Sequence, residues 1–393
     1  MIFGHPLLLV AIVLLMAQGK YAQSLSQGVE EFSLDLLNRI AVDSNQNFMI
    51  SPFSVWSLFV LLDEGADGET HAEMHKALRI NVDHGQLREF YRERNKLLNV
   101  KTSGVEVGSL QAVYISNTFS VKRTYRNVLQ NIYNVSPMEV DFHDLGTVRR
   151  INEDITRSTR GLIKDPVKQK DVTDAKLFLL SSLYFKGQWK TPFQSERTFE
   201  KPFYNENGQV IAQVPMMSQD GTFATADIKE LGGSVLKMPY GSLEWVSMIV
   251  VKPNDGVTLN AVTNNLKTLG LQAILEKLTD QEVIVFLPKF ETTTDLSLKE
   301  TLVQMGMPQL FDERKANLDR IARGLYVSLC KQSTKIIVDE EGTTAAAVTA
   351  ITVGGRSLFP TTFRVDKPFL YLIVEKETGL LLFAGQVRNP KAA

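Results

Sequence analysis

The side chains best suited to chemistry are few. Histidine occurs five times, as His5, His71, His75, His84 and His143, so none follows residue 143. His71 and His75 are four apart in a helical pattern and share one face. Two imidazoles at that spacing begin a zinc-protease motif, but the motif needs Glu directly after the first histidine. Here Glu73 comes one place late and falls on another face; no third ligand is apparent, and no metal is expected. Cys330 is the only cysteine, which excludes an intrachain disulfide. It lies in a strand-like run from Leu325 to Val338, with no histidine nearby in sequence, and reads as a structural thiol. There is no Gly-x-Ser-x-Gly elbow, P-loop or dinucleotide fingerprint. A hydrolase reading therefore finds no nucleophile and base to pair. No catalytic residue is named, and the chain is not read as an enzyme.

A backbone segment is more telling than any of these side chains. The fourteen residues from Gly342 to Gly355 carry no charge and no proline. Small and β-branched residues fit a pleated strand, and nothing in the run forbids backbone pairing. Yet Gly342 at one end and Gly354-Gly355 at the other suit a segment that moves. A loop that can become a strand is a switch element. Composition alone would also describe a buried strand. The flanks decide between these readings: Glu340-Glu341 precede the run and Arg356-Ser357 follow it.

Glu340-Glu341-Gly342-Thr343-Thr344-Ala345-Ala346-Ala347 resembles the hinge of the serpin family. Other segments resemble the family's motifs in the family's order. They are Asn47 to Ser54, Tyr184-Phe185-Lys186-Gly187-Gln188-Trp189, Val214 to Met217, Leu287 to Phe290, Asp366 to Phe369, and Phe383 to Pro390. The resemblance runs from about Phe32 to Pro390. It implies an α+β fold of three β-sheets and about nine helices, with an exposed reactive loop at 340–362.

The same resemblance implies a function. In the family the cleaved bond follows the residue fourteen positions after the hinge glycine, which places it at Arg356–Ser357. Gly355-Arg356-Ser357-Leu358 also resembles the reactive bond of antithrombin. Arginine suits the deep acidic pocket of a trypsin-like protease; an apolar slot would leave its guanidinium unpaired. The implied activity is suicide inhibition. The protease forms an acyl-enzyme at Arg356, the loop inserts into the large sheet, and the trapped complex stays covalent. Glu341, Gly342, Thr343, Thr344, Ala345, Ala346, Ala347 and Val348 form the hinge, where small residues keep insertion faster than hydrolysis. Val348 is bulkier than the family's usual alanine, and Thr344 replaces a common glutamate. Ser51, Ser54, Ser181 and Gln332 match a polar cluster under the strands that part. Ser181 stands where asparagine is usual, and Gln332, in place of histidine, resembles insect serpins. Asp154 replaces a common tryptophan. The alternative is a non-inhibitory carrier, storage protein or chaperone of the same family; such members tend to have charged, bulky or proline-bearing hinges.

The positioning elements follow from pattern. Helical spacing marks 28–40, 54–62, 70–78, 86–98, 258–269, 271–278 and 298–305, and strand-like runs mark 109–115, 176–185, 234–238, 246–251, 282–287, 325–329, 335–338, 369–375 and 380–386. Helices first and strands later argue a mixed fold, not a regular βα alternation. With 393 residues and no linker, repeat or low-complexity tract, residues 20–393 are expected to form one large domain. A formal net charge of −1 gives no support for nucleic-acid binding. Residues 1–19 read as a secretory signal, since the apolar run from Pro6 to Met16 is too short to span a bilayer and Ala17-Gln18-Gly19 offers a cleavage site. A secreted, monomeric protein without cofactor or membrane anchor is expected. Asn134-Val135-Ser136 is its one glycosylation sequon, followed by Pro137. Arg88, Arg92, Arg94 and Lys96 fall where some serpins bind heparin, but Glu89 and Glu93 interleave them, as on a solvated face.

Overall fold

The computed structural model describes residues 5–343 and 361–391, with side chains described from residue 21 onward. Helix α1 (His5–Asp43) leads to strand β1 (Phe48–Ile50) and helix α2 (Pro52–Asp63). Proline sits at the start of α2, where its missing N–H has no partner to lose. Every residue of α2 is buried, as an all-round apolar helix must be. Helices α3 (Gly68–Ala77) and α4 (His84–Arg94) follow, capped by the side chains of Asp67 and Asp83. Next come β2 (Val100–Thr102), β3 (Val105–Ser116), α5 (Arg123–Ile132), β4 (Met138–Val140), α6 (Leu145–Ser158), α7 (Gln169–Val172) and β5 (Leu177–Gln188). The chain continues through β6 (Phe199–Tyr204), β7 (Val210–Ile228), β8 (Gly233–Tyr240), β9 (Val246–Pro253), α8 (Leu259–Leu269), α9 (Leu271–Leu275), β10 (Thr279–Pro288) and β11 (Phe290–Ser297). It closes with α10 (Lys299–Gln304), β12 (Leu329–Val338), β13 (Gly342–Thr343), β14 (Thr361–Arg364), β15 (Phe369–Glu375) and β16 (Leu381–Val387).

Two sheets result. The seven-stranded sheet has the order β11-β12-β5-β3-β2, with β13 on β5 and β4 on β3. Its central pair, β12 and β5, is parallel, while β11, β3 and β13 join antiparallel. Along β5, Leu179, Leu183 and Phe185 face the main core, whereas Phe178 and Leu180 face outward. On that outer face lies α6, which buries Val148, Ile151 and Ile155 against Ala112, Tyr114, Phe178 and Leu180. A strand covered on both faces favours a near-continuous apolar run, and β5 is apolar from Leu177 to Phe185 except at Ser181 and Ser182. The nine-stranded sheet runs β1-β16-β15-β9-β8-β7-β10-β14, with β6 on β7.

Three sheets and about nine helices are expected above; among the described residues there are two sheets and ten α-helices. The reason is β7. It is 19 residues long, pairs with β10 from Met216 to Thr225, and pairs with β8 from Ala224 to Ile228. One strand thus serves two sets of neighbours and joins them into a continuous sheet. The expected strand at 325–329 is also corrected: β12 begins only at Leu329 and runs on to Val338, taking in Cys330. Among the described residues no helix is long and apolar enough to cross a membrane.

Candidate functional site

The parallel register of β12 on β5 runs from Leu329 opposite Phe178 to Lys335 opposite Tyr184, and there it stops. Past Val338 the chain turns back on itself. The amide of Asp339 donates to the carbonyl of Gly342 at 2.8 Å, and the Asp339 side chain accepts from the Glu341 and Gly342 amides. Gly342 and Thr343 then lie antiparallel on β5, opposite Gln188 and Gly187, and also rest against β12. The hinge has therefore entered the gap that opens where the two strands separate. Gly342 is required there. Its φ is 137°, and a Cβ would sit 2.1 Å from the Gly187 carbonyl oxygen.

Five residues grip this turn. The backbone amide of Trp189 donates to the Glu341 carbonyl at 2.9 Å, and its indole N–H donates to the Asp339 carbonyl at 3.0 Å. The Phe193 amide donates to the Glu340 carbonyl at 2.8 Å. Thr343 is fully buried, with Oγ1 3.1 Å from the Tyr240 hydroxyl. Tyr240 stacks on Trp189 with ring centroids 4.4 Å apart. Burial pushes the Tyr240 phenol well up, so it stays neutral and keeps its hydrogen bond. The Glu340 carboxylate accepts from Lys289 Nζ at 2.6 Å and from the Thr198 hydroxyl at 2.8 Å. Burial works against its ionisation, but Lys289, the Glu340 backbone and Thr198 outweigh that and hold it below the ordinary glutamate range.

Further along the seam the strands are closed, and all four expected polar residues meet beneath them. Gln332 on β12 lies directly opposite Ser181 on β5. Its Oε1 accepts from the Ser51 amide at 2.8 Å, and its Nε2 donates to the Ser51 carbonyl and to Ser181 Oγ, both at 3.0 Å. Ser54 Oγ is 2.9 Å from Ser181 Oγ, and Ser51 Oγ donates to the Leu382 carbonyl at 2.7 Å. Gln111 on β3 completes the cluster by donating to the Ser54 carbonyl at 3.0 Å. Every one of these groups is buried or nearly so, and each finds a partner. Gln111 is missed by the sequence reading; the signal was a lone amide inside an otherwise apolar strand pattern.

Other expected residues fall as follows. Thr344, Ala345, Ala346, Ala347, Val348, Arg356 and Ser357 lie outside the described residues. Asn134 is exposed just past α5 with φ 56°, and Ser136 Oγ accepts from Gln130. The expected basic face is broken up. Arg88 makes two 2.7 Å bonds to Glu64, and the Arg94 guanidinium lies 5.8 Å over the Phe90 ring, so only Arg92 and Lys96 are exposed. Cys330 is buried, and burial raises its thiol well above the ordinary range, away from reactivity. Asp154 pairs with Arg157 at 3.0 Å on α6 and takes no part in the polar cluster. Glu73 accepts from the Gln309 amide. His71 and His75 do share a face, and the partners not seen in sequence are Asp63 and His84.

Residues 27–390 match the family described as serpin (serine protease inhibitor). Over 360 residues the chain is 33% identical to "Intracellular coagulation inhibitor 1" of Tachypleus tridentatus, covering 88% of this chain and 85% of that protein. It is 30% identical to "Antithrombin-III" of Mus musculus, covering 95% and 83%. Among solved structures, Serpin48 of the insect Tenebrio molitor superposes with a TM-score of 0.82 at 26% identity, covering 93% of this chain and 98% of that one.

Proposed function

The chain belongs to the serpin family, and on that premise we propose that it is a secreted suicide-substrate inhibitor of a trypsin-like serine protease. Membership makes it a non-catalytic partner of proteases, not an enzyme. The bait in this reading is Arg356. The protease serine attacks the Arg356 carbonyl carbon, the Arg356–Ser357 peptide bond breaks, and the Ser357 amine leaves. An ester then joins the protease to Arg356. Residues from Thr344 onward are freed to extend between β5 and β12, continuing from Gly342 and Thr343, which already lie there. Thirteen residues, 343–355, would reach about 40 Å at a strand's rise per residue, about the length of the 12-residue β5. The attached protease is carried that far. Its catalytic groups lose their alignment and the ester outlives the reaction.

The observation that carries this reading is the pairing of Gly342–Thr343 on β5 at the point where β12 lets go. The first two residues of the would-be strand are in register, antiparallel and buried. The uncharged run that follows has nothing in its composition that the sheet would reject. Asn134, exposed beside Ser136, is proposed as the glycosylation site of the secreted protein.

The test is to mix the purified chain with trypsin and run the products on a denaturing gel. The expected result is an SDS-resistant band at the summed mass less the peptide from Ser357 onward, with Ser357 as the new amino terminus of that released peptide. Cleavage at Arg356–Ser357 with no such band would replace inhibition by the carrier reading.

A further inference from the structure

We propose that Asp63, His71 and His84 form a binding site for one divalent transition-metal ion of the zinc class, with His75 supporting the carboxylate from behind. Three helices meet here: Asp63 is the last residue of α2, His71 and His75 lie one turn apart on α3, and His84 is the first residue of α4. The Asp63 carboxylate is buried. Its Oδ1 is 2.8 Å from His71 Nδ1, and its Oδ2 is 2.9 Å from His75 Nε2. The His71 ring lies 4.1 Å from that of His75 and 5.6 Å from that of His84. One ligand atom from each of Asp63, His71 and His84 lies within 4.8 Å of the other two.

Hydrogen bonding alone accounts for part of this. A buried carboxylate needs partners, and two imidazoles supply them. It does not account for a third imidazole stacked on the first, facing a carboxylate that is already satisfied. Metal ligation does. Zinc bonds of about 2.0–2.1 Å to nitrogen and oxygen place neighbouring ligands about 3.4 Å apart in a tetrahedron. Reaching that from 4.8 Å takes small ring rotations, and both His71 and His84 are only half-buried, with room to turn. His75 then plays the outer role, donating Nε2–H to Oδ2 and orienting the carboxylate. A water completes the four ligands. Imidazole with one carboxylate selects zinc, cobalt, nickel or copper over magnesium or calcium. The other end of α2 begins beside Ser51 and carries Ser54 of the polar cluster, so an ion here would pin the far end of that helix to α3 and α4.

The experiment uses the full chain without an affinity tag, titrated with zinc chloride by calorimetry and with cobalt(II) by visible absorption. The expected result is one ion per chain, intense cobalt bands of a four-coordinate site, and a higher Tm in zinc. His84→Ala and His71→Ala should each weaken binding on the order of tenfold or more, as should the outer His75→Ala. His143→Ala, at an exposed position elsewhere, should not. Circular dichroism confirms that each variant is folded. Absence of saturable one-to-one binding would overturn the proposal. So would binding that His84→Ala and His71→Ala leave intact, which would mean adventitious ions at other groups. None of these readouts involves a protease, so the result stands apart from the inhibitory reading.

Discussion

Strand β5 meets the hinge and β12 in two contrasting ways. At its Gln188 end, β12 has already let go, and the gap is filled by Gly342–Thr343, held by Trp189, Tyr240, Phe193 and the Lys289–Glu340 pair. At Ser181 the two strands are paired directly, and the tie is a single glutamine that binds both ends of the Ser51 peptide from below. The open end is therefore secured by the contacts of Glu340 to Thr343, and the closed end by Gln332, whose hydrogen bonds go to Ser51 and Ser181. Strand separation can begin at the first place with little rearrangement. It can finish only by breaking the hydrogen bonds of the second. The contrast assigns different jobs: the open end governs whether the hinge enters, and the closed end governs how much the shut sheet is stabilised.

The largest effect is expected from Thr343→Arg, which breaks the open end outright. The guanidinium would have to enter the buried space against Tyr240, where the Asp339 carboxylate is already engaged by the Glu341 and Gly342 amides, and a poorly paired buried charge costs several kcal/mol. Insertion should lose its race with hydrolysis, so the stoichiometry of inhibition toward trypsin should rise on the order of tenfold or more. An unchanged stoichiometry would remove the distinction between the two ends.

Gln332→Ala attacks the closed end. It leaves the buried Ser51 amide without a partner, while the Ser51 carbonyl keeps the Val55 amide and the Ser181 hydroxyl keeps Ser54 Oγ. One buried unsatisfied amide costs about 1–3 kcal/mol, which is the loss expected in urea unfolding of the intact chain. The stoichiometry of inhibition should stay near the parent value. A rise as large as that of Thr343→Arg would merge the two ends into one.

The smallest effect concerns the Lys289–Glu340 pair. Lys289 is over a third exposed, so solvent discounts the pair, and Lys289→Met should cost about 1 kcal/mol at neutral pH. The folded chain holds the Glu340 carboxyl low. Its contribution is thus fully present above the unfolded value of about 4.3 and is lost as pH falls through the lowered one. The difference in Tm between parent and Lys289→Met should shrink below pH 4, and a difference that grows on acidification would reverse the assignment.

How much of this could be read in the sequence depended on locality. Tyr184 to Trp189, Leu287 to Phe290 and Glu340 to Thr343 are short contiguous strings, and each holds one side of the hinge anchor. Ser51, Ser54, Ser181 and Gln332 were legible through family resemblance, and they converge in space. Gln111 stood out only as a lone amide in an apolar strand pattern, and its pairing was not legible because its partner Ser54 is 57 residues away. The histidine cluster failed for the same reason, since a search within one helix cannot reach Asp63 at the end of α2 or His84 at the start of α4. Helix α6 buries only one stripe under many charged residues, and β7 alternates buried with exposed positions for only part of its length. Neither presents the long apolar run, interrupted only by Ser181 and Ser182, that identified β5 from Leu177 to Phe185. The count of sheets turned on β7 as well, since the length of one strand decided whether two sets of neighbours join.

The central claim is that cutting Arg356–Ser357 sends residues 344 onward between β5 and β12, into a form of lower free energy. The direct measurement is thermal unfolding of the chain before and after limited cleavage at that bond. The account predicts that the cleaved chain melts at a markedly higher temperature and that amides of β5 and β12 beyond Tyr184 and Lys335 become slower to exchange. A cleaved chain that melts no higher than the intact one, with those amides unprotected, would contradict it.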